Sequence, residues 1–197
     1  MKKTISILAI VILLAGGLFI LTGCGEKEVP TVTETYEYTA RNVRVSASYP
    51  EESGYRKSED EADIKNGTST VDMAIVGEKV RIQFDFGNYL MVDKSFNGLK
   101  EWYKNSFKSS YKDITVNGRE ANYREVGVTD KENVYLAINI EDVSDTKIAS
   151  NMLVLQVIVS AVNEEDSGKA LFETEEVQKI IQSIKVEQID PSKPIKE

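Results

Sequence analysis

Val71-Asp72-Met73-Ala74-Ile75-Val76-Gly77-Glu78-Lys79-Val80-Arg81-Ile82-Gln83-Phe84-Asp85-Phe86 is the stretch on which the fold turns. Two apolar-rich runs flank a short turn, Gly77-Glu78-Lys79. In the second run Val80, Ile82, Phe84 and Phe86 occupy every other position, the period of a strand whose successive side chains face opposite sides. The spacing predicts a β-hairpin with those side chains turned inward.

The same periods extend outward along the chain. Towards the C-terminus, Phe96, Leu99, Trp102 or Tyr103, and Phe107 recur at helical spacing, which predicts a helix over residues 96–109 with Ser95 or Asn97 as its cap. Its aromatic stripe is expected to be core. Ile114-Thr115-Val116 and Ala121 to Val126 flank Asn117-Gly118, a pair suited to the positive φ angles of a type I′ turn, with the register left open by Arg119 and Glu120. Residues 134–140 and 148–162 read as two more strands joined by a polar turn, 141–147. The closing helix is announced by Thr174 as cap, by Glu175 and Glu176 near the positive end of its dipole, and by Val177, Ile180, Ile181 and Ile184 as one apolar stripe. Gln182 falls on its outward side.

Towards the N-terminus, residues 35–49 alternate as two strands around a turn at Ala40-Arg41-Asn42, closed by Tyr49-Pro50. Residues 51–66 are rich in acids and lack the ligand spacing of a calcium loop, so they read as a solvated loop. Within it Tyr55 is the candidate contact residue for a partner, because tyrosine offers contact area at little entropic cost; the alternative is that its ring packs back onto the sheet. The expected fold class is α+β: an antiparallel sheet of about six or more strands flanked by helices.

The chain opens with Lys2 and Lys3, an almost unbroken apolar run from Ile5 to Leu21, and Leu21-Thr22-Gly23-Cys24. Two cations before an apolar run hold its amino end on the cytoplasmic side. The tetrad resembles a lipobox. That resemblance implies a bacterial lipoprotein: residues 1–23 are a signal peptide, cleavage falls between Gly23 and Cys24, and the Cys24 thiol carries a diacylglycerol. Residues 24–33, polar and holding Pro30, are then a tether, 34–190 a single domain and 191–197 a tail. The expected location is the outer side of the cell membrane, with the lipid on Cys24 as the whole attachment, since no later stretch is apolar enough to span.

Formal charge is −8, and the expected signal peptide carries only lysines, so the remaining domain is more acidic still. Such a surface argues against nucleic acid as a partner and against attraction to anionic headgroups. Histidine is absent and Cys24 is the sole cysteine. With that thiol consumed by lipid, disulfides, thiol catalysis, Cys/His zinc sites and Ser-His or Cys-His mechanisms are excluded.

Three local matches to chemical motifs stay partial. Ser109-Ser110-Tyr111-Lys112 fits Ser-x-x-Lys, but Ser144-Asp145-Thr146 meets only part of the accompanying Ser-Asp-Asn element and no Lys-Thr-Gly follows. Ser167-Gly168-Lys169 lacks the upstream glycine of a phosphate loop. The 32 carboxylates offer many pairs of glycosidase type, and abundance alone singles out none. No cofactor or metal is expected, and no catalytic residue.

Three stretches resemble the PsbP/Mog1-type α+β sandwich: Val43 to Pro50, an early strand ending in Tyr-Pro; Leu99-Lys100-Glu101-Trp102 with residues 114–123, a helix followed by an Asn-Gly hairpin; and Val177 to Val186, a closing helix with an apolar stripe. The resemblance implies a non-enzymatic binding or assembly factor and carries over no site residue. Two occupants are therefore expected: a protein or envelope partner on the surface, or a small ligand in a pocket between sheet and helices.

Overall fold

Alternation dictates the first layer. Strand β1 (Thr31–Tyr38) and strand β2 (Val43–Pro50) pair antiparallel from Thr31↔Pro50 to Tyr38↔Val43, and β2 buries Val43, Val45, Ala47 and Tyr49 at every second position. β1 begins inside the stretch read as tether. The computed structural model describes residues 29–39, 42–58, 71–86, 95–127, 132–143 and 154–192. The expected signal peptide, Cys24, most of the tether, the acids from Glu59 to Asp63, Ser144-Asp145-Thr146, the start of the long apolar run and residues 193–197 lie outside these. The chain divides into two units, Met1–Pro30 and Thr31–Glu197, and the second carries every described element.

The expected α+β class is observed. A three-stranded sheet has the order β1-β2-β10, where β10 is Lys185–Gln188. A seven-stranded sheet has the order β3-β4-β5-β9-β8-β7-β6, from β3 (Arg56–Ser58), β4 (Val71–Val76), β5 (Val80–Asp85), β6 (Lys112–Val116), β7 (Arg119–Val126), β8 (Asn133–Asn139) and β9 (Val154–Ala161). Every described pairing is antiparallel. The 77–79 turn joins β4 to β5 as expected, closed by Gly77 N donating to Val80 O at 2.9 Å. Asn117 (φ 46°) and Gly118 (φ 78°) form the two-residue turn between β6 and β7, and Val116 pairs with Arg119, which settles that register.

Helix α1 (Phe96–Phe107) is capped by Ser95, whose side chain accepts from Gly98 N at 3.0 Å. It ends at Phe107, before the expected Ser109, and a 3-10 turn over Lys108–Ser110 follows. Helix α3 (Glu175–Ser183) is capped by Thr174, as the sequence predicts, and buries Val177, Ile180 and Ile181. Three elements go unannounced: β3, the short helix α2 (Gly168–Phe172), and β10. β3 corrects the reading of 51–66, since Arg56 to Ser58 pair with Val76 to Ala74 rather than lying in a solvated loop. These elements have only three to five residues, too few for a period to repeat.

The two faces of the large sheet differ. One packs Met73, Ile75, Ile82, Phe84, Leu136, Ile138, Val157 and Val159 with β2 and the α3 stripe in a single apolar core. Such side chains each contribute about 1.5–3 kcal/mol on burial. The opposite face carries a smaller cluster in which Phe96, Leu99 and Tyr103 of α1 meet Ala137 and Val154. Of the two aromatic candidates on that helix, Tyr103 is the core residue and Trp102 is 54% exposed. Tyr103 stands at i+4 from Leu99 and i+7 from Phe96, on the covered stripe; Trp102 is rotated off it by about 100°.

Candidate functional site: a polar layer beneath helix α1

Strand β7 alternates Ala121 and Tyr123 towards the main core with Asn122 and Arg124 towards α1. Register then lines up polar residues across the sheet. Asp85 of β5 pairs with Gln156 of β9, Gln156 with Ala137 of β8, Ala137 with Asn122, and Asn122 with Asp113 of β6. Strands lie about 4.8 Å apart, so this row crosses roughly 19 Å of sheet. Asp85, Asn122, Arg124 and Gln156 are the buried polar side chains of the described residues, and all belong to this face.

Arg124 is held by geometry suited to a buried guanidinium. Its Nη2 donates to Gln156 Oε1 at 2.8 Å, and its central carbon lies 3.8 Å from the Tyr103 ring centroid and 5.2 Å from that of Tyr135. Stacking on aromatic faces suits the flat, weakly hydrated guanidinium. Burial pushes the Tyr103 phenol above its ordinary pKa, while the Arg124 charge draws it back down.

Asn122 is fully buried, and neither atom of its amide has a hydrogen-bond partner among the described residues. An unsatisfied buried polar group costs about 1–3 kcal/mol. A core position beneath an apolar helix face would ordinarily hold an apolar residue. Asn122 is therefore the anomaly of this layer.

Helix α1 roofs the layer and is fastened through its first turns. Glu141 Oε1 accepts from Phe96 N at 2.9 Å, and Lys100 Nζ bridges Glu120 and Asp113, the latter at 3.4 Å. The Glu120 contact chiefly raises the Lys100 pKa; the Tyr111 hydroxyl, 2.7 Å from Asp113, chiefly lowers that of Asp113.

Other places are self-satisfied. An open cleft of about 800 Å³ at the β6–β7 turn is lined by Arg119, Glu120, Glu141 and Asp142 among others, but Arg119 is already spent on Asp142, Asn139 O and Val186 O. Tyr55 does not stand out in a loop. Its ring packs against the main core, 5.8 Å from Tyr49 and beneath Gly77, and burial followed by the charge of Glu176 pushes its pKa up to about 12. Lys112 of the Ser-x-x-Lys match lies 4.9 Å over the Tyr123 ring, and Lys169 of Ser167-Gly168-Lys169 is paired with Glu125 at 2.9 Å. Among the described residues no cluster of acids could hold a metal ion, and no helix is long and apolar enough to cross a membrane.

Sequence reasoning singled out none of the polar layer. Gln156 interrupts an apolar run and Asp85 sits between Phe84 and Phe86, yet in a strand such positions ordinarily face water. Only the tertiary fold makes them buried. Compared with known proteins, the chain matches no family model, no curated protein and no solved structure.

Proposed function

We propose that this chain is a lipid-anchored binding protein on the outer side of the cell membrane, working without covalent chemistry. The anchor rests on Leu21-Thr22-Gly23-Cys24 behind the apolar run, and the absence of histidine and of a second thiol supports binding over catalysis. Of the two expected occupants, a small ligand between sheet and helix has the stronger support. The observation that carries it is the burial of Asn122, Arg124 and Gln156 on the face of the large sheet that α1 packs against, with Arg124 bonded to Gln156 and stacked on Tyr103. Ligand sites combine apolar walls with a few convergent polar groups. Native mass spectrometry of the purified full chain tests it: a small molecule released only on unfolding is expected, and its absence counts against the reading.

A protein or envelope partner is the second reading, in keeping with the resemblance to the PsbP/Mog1 sandwich. Exposed Trp102 favours it, since tryptophan is enriched where interfaces concentrate their energy. Crosslinking at Trp102 in the native membrane, followed by pull-down, tests this second reading. The anchor is tested separately: Cys24→Ser should leave an uncleaved, unlabelled precursor.

A further inference from the structure

We infer that the outer edge of β1 is a strand-pairing site, and that its occupant is β1 of a second copy of this chain, antiparallel across a two-fold axis at Thr33. β1 is the outermost strand of the three-stranded sheet and pairs with β2 alone among the described residues. Which of its backbone groups face outward follows from β2. Ser48 N donates to Ser183 Oγ at 2.8 Å and Ser48 O lies 3.1 Å from the same hydroxyl, so both groups point away from β1. Opposite residues in an antiparallel ladder alternate between exchanging both bonds and exchanging none. Thr33, opposite Ser48, therefore turns its N–H and C=O to the outer edge, and Thr31, Thr35 and Glu37 do the same by period two. Two independent facts agree. Lys57 Nζ reaches Thr35 O at 3.1 Å from outside the pair, and Pro50 falls at a β2 position whose N–H the β1 ladder does not need.

The edge is firmly seated and its acids are matched within the chain. Val32, Tyr36 and Tyr38 pack against the main core, and the Tyr38 ring stacks on Phe86 at 5.6 Å. Unmatched charge along an edge is a usual guard against strand addition. Here Glu34 accepts from the Tyr49 hydroxyl at 3.0 Å, and Glu37 accepts from Arg44 at 2.8 and 2.6 Å.

Charge selects a second copy and its register. A two-fold axis at Glu34 would set the two Glu34 side chains opposite each other, and one at Thr35 would bring together the two Lys57 ammonium groups. An axis at Thr33 does neither. It lays Thr33 on the partner's Thr33 and Thr31 on the partner's Thr35, and it continues the contact between the Thr33 and Ser48 hydroxyls at 2.8 Å. Cross-strand threonine pairs of this kind are favourable. A single strand contact falls short of the roughly 1,200 Å² that a stable soluble interface buries. Thr31, however, stands seven residues after Cys24, so a lipid on that cysteine holds β1 within about 25 Å of the bilayer. Copies confined to one surface meet at a raised effective concentration. This last step rests on the lipid-anchor reading above.

Disulfide trapping of the full chain in native membranes tests the pairing. In the wild-type chain the lipid occupies the sole thiol, so oxidation should yield no dimer. Thr33→Cys should give a disulfide dimer, because directly opposite residues of a bonded pair have Cα atoms about 5.5 Å apart, within disulfide reach. Its yield should exceed that of Lys104→Cys, an exposed thiol on α1, by about tenfold. Thr31→Cys and Thr35→Cys should crosslink when the two variants are co-expressed, and much less when either is alone. A Thr33→Cys yield no higher than that of Lys104→Cys overturns the proposal, as does a self-dimer strongest at Thr35→Cys. A wild-type dimer through Cys24 would instead overturn the lipid reading. Thr33→Cys in a Cys24→Ser background, still held in the membrane by the uncleaved apolar run, then decides the pairing by itself.

Discussion

The guanidinium carbon of Arg124 lies 3.8 Å from the ring centroid of Tyr103, and this contact joins α1 to β7, the strand next to the edge of the large sheet. Helix and sheet meet there through a cation and an aromatic face, not through aliphatic packing alone. The Gln156 side chain fixes the guanidinium from the strand side at 2.8 Å.

Arg124→Met should therefore destabilise the fold by about 2–4 kcal/mol, since it removes a buried, hydrogen-bonded charge and leaves Gln156 Oε1 without this donor. Tyr103→Leu alone should cost less. In a double-mutant cycle read by urea unfolding, the pair should couple by about 1–2 kcal/mol. Strict additivity would show that the stacking contributes nothing.

On helix α3, Ile181 is buried and its neighbour Gln182 is exposed. Ile181→Asp should cost at least about 3 kcal/mol by placing an unpaired charge in the main core. Gln182→Asp should cost on the order of 1 kcal/mol, more than a free surface position, because Gln182 accepts from Asn117 N at 3.0 Å and donates to Thr115 O at 3.2 Å. Equal Tm values for the two variants would contradict the packing of α3.

Gly77 leaves room for Tyr55. A Cβ there would come within 2.7 Å of a Tyr55 ring carbon. Gly77→Ala is expected to cost about 1–3 kcal/mol through that overlap. Adding Tyr55→Ala should make the pair less destabilising than the sum of the single changes. A sum that holds would mean the ring yields freely.

Alkaline pH should weaken the fold in a defined window. Burial, then the Glu34 hydrogen bond, pushes the Tyr49 phenol from 10.0 up to about 12, and Tyr55 is raised similarly by burial and Glu176. A raised folded-state pKa means the folded chain holds its proton longer. Stability is thus intact below pH 10 and declines as pH rises from about 10 to about 12. Tyr49→Phe should flatten part of that decline in denaturant unfolding measured across the window; an unchanged slope would argue against a buried Tyr49 hydroxyl.

Several elements were legible because their cause is local. The period-two spacing of Val80, Ile82 and Phe84 and the helical stripe of Val177, Ile180 and Ile181 each record which side meets apolar neighbours. Asn117-Gly118 records a backbone need for positive φ. The lipobox-like tetrad is likewise a local pattern, independent of any fold. The four-residue β10 left no such mark. It exists because Asn42 exchanges hydrogen bonds with Asp190 at 2.9 and 2.8 Å and β2 offers a free edge, both contacts from more than a hundred residues away.

The sequence by itself determined the antiparallel α+β class and the inward faces of the hairpins and last helix, and it holds no histidine. Tertiary structure alone decided the candidate site. Asp85, Asn122, Arg124 and Gln156 occupy strand positions that face water in a one-sided sheet, and nothing in their neighbours announces a roof. When the chain folds, four soluble-looking residues become a buried layer, with α1 lying against its β7 end. Burial is a property of what lies opposite a side chain, and what lies opposite Asn122 is a helix about twenty residues away in sequence, held by Glu141 and by Lys100.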